Sequence, residues 1–323
     1  MKLTIWCNGR FADAVAKRLV DGVRPHRIQY APKLNANVLA AGEHDPGLAA
    51  CDVAFGQPVP DDCLTAPRLR WISVTTAGYT RYDTPEFREA LQAKGAVLTN
   101  ASGVFSEPCA QQVLAYLMAE GRQLLQSHND QVTDHSWHHI DRRYASRLLT
   151  GQTILLFGYG AIARRLVELL APLRVTVYAV RRQRRSEPGV RIVPEEDLTR
   201  VLPLADHVVN LLSENESTRN YVNARRLEWF KPGARFYNVG RGTTVDQRAL
   251  LRALETGRLG AAYLDVTDPE PLPPDNPLWT APNCFITPHT AGGRSDQDEA
   301  IVAHFLENLE AFANGKELRD QVI

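Results

Sequence analysis

"TILLFGYGAIARRLVELL", residues 153–170, reads as a strand, a tight glycine turn and a helix in direct succession. The apolar run at 153–157 has no polar alternation, which predicts a strand buried on both faces. Gly158, Gly160 and Ala163 then fall in the G-x-G-x-x-G/A spacing, between strand and helix as that fingerprint requires. Gly158 permits the sharp turn. Gly160 leaves room for a ligand's pyrophosphate to approach the positive end of the helix. Ala163 keeps helix and strand close. The pattern predicts a dinucleotide site on a parallel α/β sheet.

The rest of the chain repeats this alternation. One series of short apolar runs covers 3–7, 27–30, 52–55, 71–74 and 96–99. A second covers 153–158, 175–180, 207–212, 235–239, 260–265 and 284–287. Helix-like stretches separate the runs. The expected fold class is therefore α/β, with two doubly wound parallel-sheet domains in tandem. An amphipathic helix is expected over 106–125, where one series gives way to the other, and a second over 296–315.

Composition narrows the function classes. With 323 residues the chain exceeds one ordinary core. Its 37 basic and 37 acidic residues cancel, so no global field draws it to nucleic acid or a membrane surface. No apolar run approaches the roughly 20 residues that span a bilayer, and the opening "LTIWC" reads as a strand and not as a signal peptide. The five cysteines are scattered without a C-x-x-C pair, which fits a reducing cytoplasm. His135, His138 and His139 share one short stretch, but no cysteine or carboxylate cluster joins them, so a polar loop is expected and no metal.

Against that neutral background one cluster stands out. "AVRRQRRSE" (179–187) places Arg181, Arg182, Arg184 and Arg185 just beyond a β-branched strand. An NAD site carries an acid at the end of this second strand, about 20 residues past the glycines, to bind the ribose hydroxyls. In this chain an arginine follows Val180. Guanidinium groups bind phosphate in bidentate fashion, which predicts contact with the 2′-phosphate of NADP(H) by Arg181 and Arg182. Arg184 and Arg185 read equally well as solvated.

Three later residues carry chemistry. Arg241 follows the strand in "YNVGRGTTVDQ", Glu270 lies in "LDVTDPEPLPP", and His289 follows the last strand in "FITPHTAGG". Residues at the carboxyl ends of parallel strands face the ligand crevice. An arginine can hold and polarise an α-keto acid, a histidine can exchange a proton with its oxygen, and a carboxylate can orient the imidazole and raise its pKa.

With these blocks in order, the chain resembles the D-isomer-specific 2-hydroxyacid dehydrogenase family over nearly its whole length. The resemblance implies that Arg241 binds substrate, that Glu270 partners the histidine, and that His289 is the general acid/base. It implies that the turn "TTAGYTRYD" holds the substrate carboxylate on the N–H groups of Ala77 and Gly78. It also implies cofactor contacts from Gly158, Tyr159, Gly160, Ala161, Ile162, Arg181, Arg182, Leu212, Thr218, Val239, Gly240, Asp265 and Gly292, with Asp265 on the nicotinamide carboxamide. Trp137 matches a tryptophan that some relatives lend to a neighbouring subunit. The chain departs from the family pattern at Gln111 and Gln112, at Thr80, and at Ser213. Glu270 stands where formate dehydrogenase relatives carry glutamine, which argues against formate oxidation.

The expected molecule is a cytoplasmic homodimer that reduces small 2-keto acids such as glyoxylate or hydroxypyruvate to D-2-hydroxy acids. It is expected to prefer NADP(H) and to accept NAD(H). Residues 1–98 with 293–323 form a flavodoxin-like substrate domain and 99–292 a Rossmann cofactor domain, with the active site in the cleft. The alternatives are an NAD-linked D-2-hydroxyacid dehydrogenase of other substrate range and a dinucleotide-sensing regulatory scaffold.

Overall fold

The computed structural model describes residues 2–35, 42–181 and 187–323. The chain divides into two compact units, 1–105 with 294–323, and 106–293. Each is an α/β unit built on one parallel sheet.

The smaller unit holds β1 (Thr4–Gly9), β2 (Arg27–Asn35), β3 (Val53–Gly56), β4 (Trp71–Val74) and β5 (Val97–Thr99). They lie in the order β2-β1-β3-β4-β5, and every pairing is parallel. This is the flavodoxin-like winding. Side chains alternate between two cores: Ile5 and Cys7 of β1 face one cluster, Trp6 the other. Both faces are covered, so the strand reads as a continuous apolar run. The helix Gln297–Ala313 covers the first face. Its Phe305 stacks on Phe55 at 3.9 Å between ring centroids and on Trp71 at 5.3 Å.

The larger unit holds β6 (Thr153–Phe157), β7 (Thr176–Val180), β8 (Arg191–Val193), β9 (His207–Asn210), β10 (Ala234–Asn238), β11 (Leu259–Leu264) and β12 (Cys284–Ile286). Their order is β12-β11-β10-β9-β6-β7-β8, again all parallel. The order of strands β6–β11 is that of the Rossmann fold, with β12 added at one edge. The winding reverses between β6 and β9, so the carboxyl ends of these central strands open the crevice where ligands bind.

Two expectations need correction. The helix expected over 106–125 runs from Ser102 to Gly121, with Pro108 inside it. It ends because Gln123 takes a left-handed conformation (φ 57°), and a new helix starts at Leu124. Leu117 and Leu124 keep helical spacing across the polar stretch 120–123, so the apolar stripe alone does not reveal the break, although Gly121 marks it. Strand β8 falls outside the expected series. It has three residues, lies at the sheet edge and is only partly buried, so it carries no apolar run.

Phe305 is fully buried between two aromatic rings. Phe305→Ala is expected to cost about 3–5 kcal/mol through lost burial and the cavity left behind. Urea unfolding of the two proteins measures it, and a loss below about 1 kcal/mol would show that this stack does not hold the smaller unit together.

Candidate active site

Three neighbouring strands of the larger unit, β10, β11 and β12, each end in a loop that carries one of the expected side chains. After β10 the chain runs Val239-Gly240-Arg241-Gly242. A Cβ on Gly240 would lie 2.8 Å from the Leu212 carbonyl oxygen, and one on Gly242 only 1.8 Å from that of Thr267. Only glycine lets the loop press against its two neighbours. The Arg241 carbonyl accepts from the Asn238 side chain at 3.1 Å and the Thr244 hydroxyl at 2.6 Å. A fully buried amide network stands behind it: Asn210 Nδ2 donates to Asn238 Oδ1 at 2.9 Å and to Thr244 Oγ1 at 2.7 Å. The half-buried Arg241 is thus held by its backbone, and its guanidinium donates to the Gly240 carbonyl at 2.6 Å.

After β12 comes Thr287-Pro288-His289. His289 adopts φ 54°, and its N–H donates to the carbonyls of Asp265 (2.8 Å) and Thr287 (3.0 Å). The buried Asp265 carboxylate ties the loop down. One oxygen accepts from the Thr287 hydroxyl at 2.6 Å and the Thr290 N–H at 2.8 Å, the other from the Ala291 N–H at 2.9 Å. Because Thr287 donates there, it accepts from the Tyr116 hydroxyl, 2.8 Å away.

Glu270, in the loop after β11, closes the constellation. Its Oε1 accepts from the Thr267 N–H at 3.0 Å and its Oε2 from His289 Nδ1 at 2.7 Å. That bond raises the His289 pKa above its ordinary value; burial opposes the rise, the Glu270 charge adds to it and the Arg241 charge counters it. Burial works against the Glu270 carboxylate too, but the bonds from His289 and Thr267 and the His289 and Arg241 charges hold its pKa below the usual range. With Nδ1–H committed to Glu270, the other ring nitrogen, Nε2, is left to exchange a proton with a ligand.

The glycine turn forms a second part of this unit. Gly158 (φ 91°) turns the chain, and nothing lies within 4 Å of where a Gly160 Cβ would stand. The helix Ala161–Leu170 begins there and brings Ala161 and Ile162 into its first turn. A cavity of about 560 Å³ is lined by Gly158, Tyr159, Gly160, Arg181, Leu212 and Thr218 among others. A glycine turn, a ten-residue helix pointing its N–H groups outward and an arginine at the end of β7 fit a dinucleotide phosphate. Arg182, Arg184 and Arg185 lie outside the described residues.

Ala77 and Gly78 lie in the smaller unit, in the loop that follows β4. Their carbonyls accept from Asn100 Nδ2 (2.7 Å) and Thr76 Oγ1 (2.6 Å). No group among the described residues accepts from their N–H groups.

The structure brings together Arg241, Glu270, His289 and Asp265, with Val239, Gly240 and Gly292 in the same loops. Sequence reasoning missed Thr287, Tyr116 and the Asn210–Asn238–Thr244 network. Thr287, two residues before the histidine, was findable. The others needed the fold, because their partners are distant in sequence.

Residues 114–291 match the family model described as D-isomer specific 2-hydroxyacid dehydrogenase, NAD binding domain. The chain is 30% identical to glyoxylate/hydroxypyruvate reductase B of Escherichia fergusonii, over 98% of this chain and 96% of that one. Its fold is similar to a D-isomer specific 2-hydroxyacid dehydrogenase from Xanthobacter autotrophicus solved with NADPH (TM-score 0.83, 24% identity, 100% and 98% of the two chains). It is also similar to an NADPH-dependent glyoxylate/hydroxypyruvate reductase from Sinorhizobium meliloti solved with NADP and malonate (TM-score 0.73, 25% identity, 100% and 97%).

Proposed function

The chain belongs to the D-isomer specific 2-hydroxyacid dehydrogenase family, and on that premise we propose that it reduces small 2-keto acids such as glyoxylate or hydroxypyruvate to D-2-hydroxy acids, preferring NADPH to NADH. The observation that carries the reading is the 2.7 Å bond between His289 and Glu270, on loops next to the one that bears Arg241.

When bound at the glycine turn, the dinucleotide would supply the hydride for the carbonyl carbon. The residues of the chain do the rest. Arg241 binds the keto acid and polarises its carbonyl, which a planar guanidinium does in a way an ammonium cannot. His289 Nε2 gives a proton to the carbonyl oxygen as it gains charge. Glu270 stabilises the imidazolium before that transfer and orients the ring. The N–H groups of Ala77 and Gly78 take the substrate carboxylate, which makes the smaller unit a substrate domain. Gly158, Tyr159, Gly160, Ala161, Ile162, Leu212, Thr218, Val239, Gly240, Asp265 and Gly292 are assigned to the cofactor, with Arg181 and Arg182 on its 2′-phosphate. The structures solved with NADP or NADPH support that choice of cofactor.

Spectrophotometric assay of glyoxylate and hydroxypyruvate with both reduced cofactors tests the reading. His289→Ala is expected to lower kcat by about 10²–10⁴-fold. Arg241→Lys is expected to lower kcat/KM by roughly 10- to 150-fold, the worth of a lost charged hydrogen bond. Near-normal turnover in both variants would reject these roles for the two residues.

The working form is a homodimer in the cytoplasm. Leu124, Val132, Trp137, Ile140, Tyr144 and Leu148 fall within one short segment and are all exposed, Trp137 at 91%. So many bare apolar side chains mark an interaction surface, and a second copy related by two-fold symmetry is the commonest cover. The five cysteines are free thiols, as a reducing compartment requires. Light scattering at micromolar concentration is expected to give twice the 36.0 kDa of one chain, and to fall toward one chain for Trp137→Asp. A monomer in the wild type would overturn the assembly.

A further inference from the structure

A phosphate-binding arginine is most effective when its guanidinium is free, and Arg181 is already engaged. Arg181 Nη1 lies 3.0 Å from Glu187 Oε1, and the two side chains are only 22% and 23% exposed. Glu187 reaches that position through a built turn. Pro188 and Gly189 stand between Glu187 and Val190, which pair in an antiparallel bridge, and Gly189 has φ 74°. Proline at the second position and a left-handed glycine at the third define a type II turn. The turn feeds directly into β8, which pairs in register with β7 from Tyr178 to Val180. The sheet itself therefore sets Glu187 against Arg181, the residue that follows β7.

The pair also stands beside the glycine turn. Burial raises the pKa of the Tyr159 phenol, the Glu187 charge raises it further, and the Arg164 and Arg181 charges oppose the rise. Arg181 and Tyr159 both line the cofactor cavity. The acid that lines that cavity, Glu195, is committed to the Arg226 guanidinium and the Tyr221 hydroxyl. Among the described residues, Glu187 is thus the carboxylate that competes for Arg181.

We propose that Glu187 is the residue that sets how strongly this protein prefers NADPH, by acting as a resident counter-ion that the 2′-phosphate must displace or share. The inference rests on the proposed binding of NADPH at the glycine turn. A phosphate gains its strongest grip on arginine through two parallel bonds. One of the nitrogens needed is already held by a carboxylate, and that carboxylate repels the incoming phosphate. NADH carries no phosphate there and leaves the pair intact. The sheet therefore builds a protein whose preference for NADPH is moderated. The carboxylate that dinucleotide folds place at the end of this strand is present after all, six residues later in the chain, and it faces the arginine instead of leading it.

Titration of the protein with NADPH and with NADH, followed by nucleotide fluorescence without keto acid, tests this for wild type, Glu187→Gln and Arg181→Gln. Glutamine keeps the shape and the hydrogen bond and removes only the charge. Glu187→Gln is expected to tighten NADPH about tenfold, the lower end of one charge-assisted hydrogen bond, and to leave NADH within about twofold. Arg181→Gln is expected to weaken NADPH and spare NADH. If Arg181→Gln shifts the ratio of the two affinities but Glu187→Gln does not, the counter-ion proposal is overturned and the cofactor reading stands. If neither substitution shifts it, both are overturned.

Discussion

One buried carboxylate holds the ends of two strands together. Asp265 leaves β11 and gathers the Thr287 hydroxyl and the Thr290 and Ala291 N–H groups of the loop after β12, while its carbonyl takes the His289 N–H. A carboxylate stripped of water is tolerable only when its oxygens are met in this way. The clamp keeps His289 at its left-handed backbone angle, a conformation that persists only where its surroundings fix it. Tyr116, from the long helix, anchors the clamp from behind by donating to Thr287.

On that platform two neighbouring loops set the electrostatics. Gly240 and Gly242 press the Arg241 loop against the backbones of Leu212 and Thr267, so the cation cannot drift from the pair beside it. Glu270 is tied by one oxygen to its own loop and offers the other to His289. Its charge favours the protonated imidazole and that of Arg241 opposes it. The carboxylate wins because it is in direct hydrogen-bond contact, whereas the arginine acts only through space.

Most of the fold was legible in the sequence for one reason. Strands such as "TILLF" are covered on both faces, with Ile154 and Leu156 in one core and Leu155 and Phe157 in the other, so they stand out as unbroken apolar runs. The glycine turn was legible because it needs special residues at fixed spacing. The edge strand β8 has no such run, and the break at Gln123 is hidden because Leu117 and Leu124 keep the helical spacing across it. In the site, Arg241, Glu270 and His289 could be named, since each follows a recognisable strand. Of their supports only Thr287, two residues before the histidine, could have been. Asn210 and Tyr116 act through partners brought close only by the fold. The arginine cluster was the hardest case. Composition shows its charge, but the anion that answers Arg181 comes from a Pro-Gly turn whose position is fixed by a strand the sequence did not show.

The proposed catalysis turns on Glu270 keeping His289 protonated for the moment of proton transfer, and the pH dependence of kcat/KM for keto acid reduction tests that most directly. Reduction needs the protonated imidazole, so activity is full at low pH and lost as pH rises through the His289 pKa. A raised pKa puts that alkaline limb above the value of about 6.5 that an ordinary histidine shows. In Glu270→Gln the limb is predicted to move to lower pH, because the charge that favours the imidazolium is gone. A wild-type limb at or below the ordinary histidine value, or one that Glu270→Gln leaves in place, would contradict this role for Glu270.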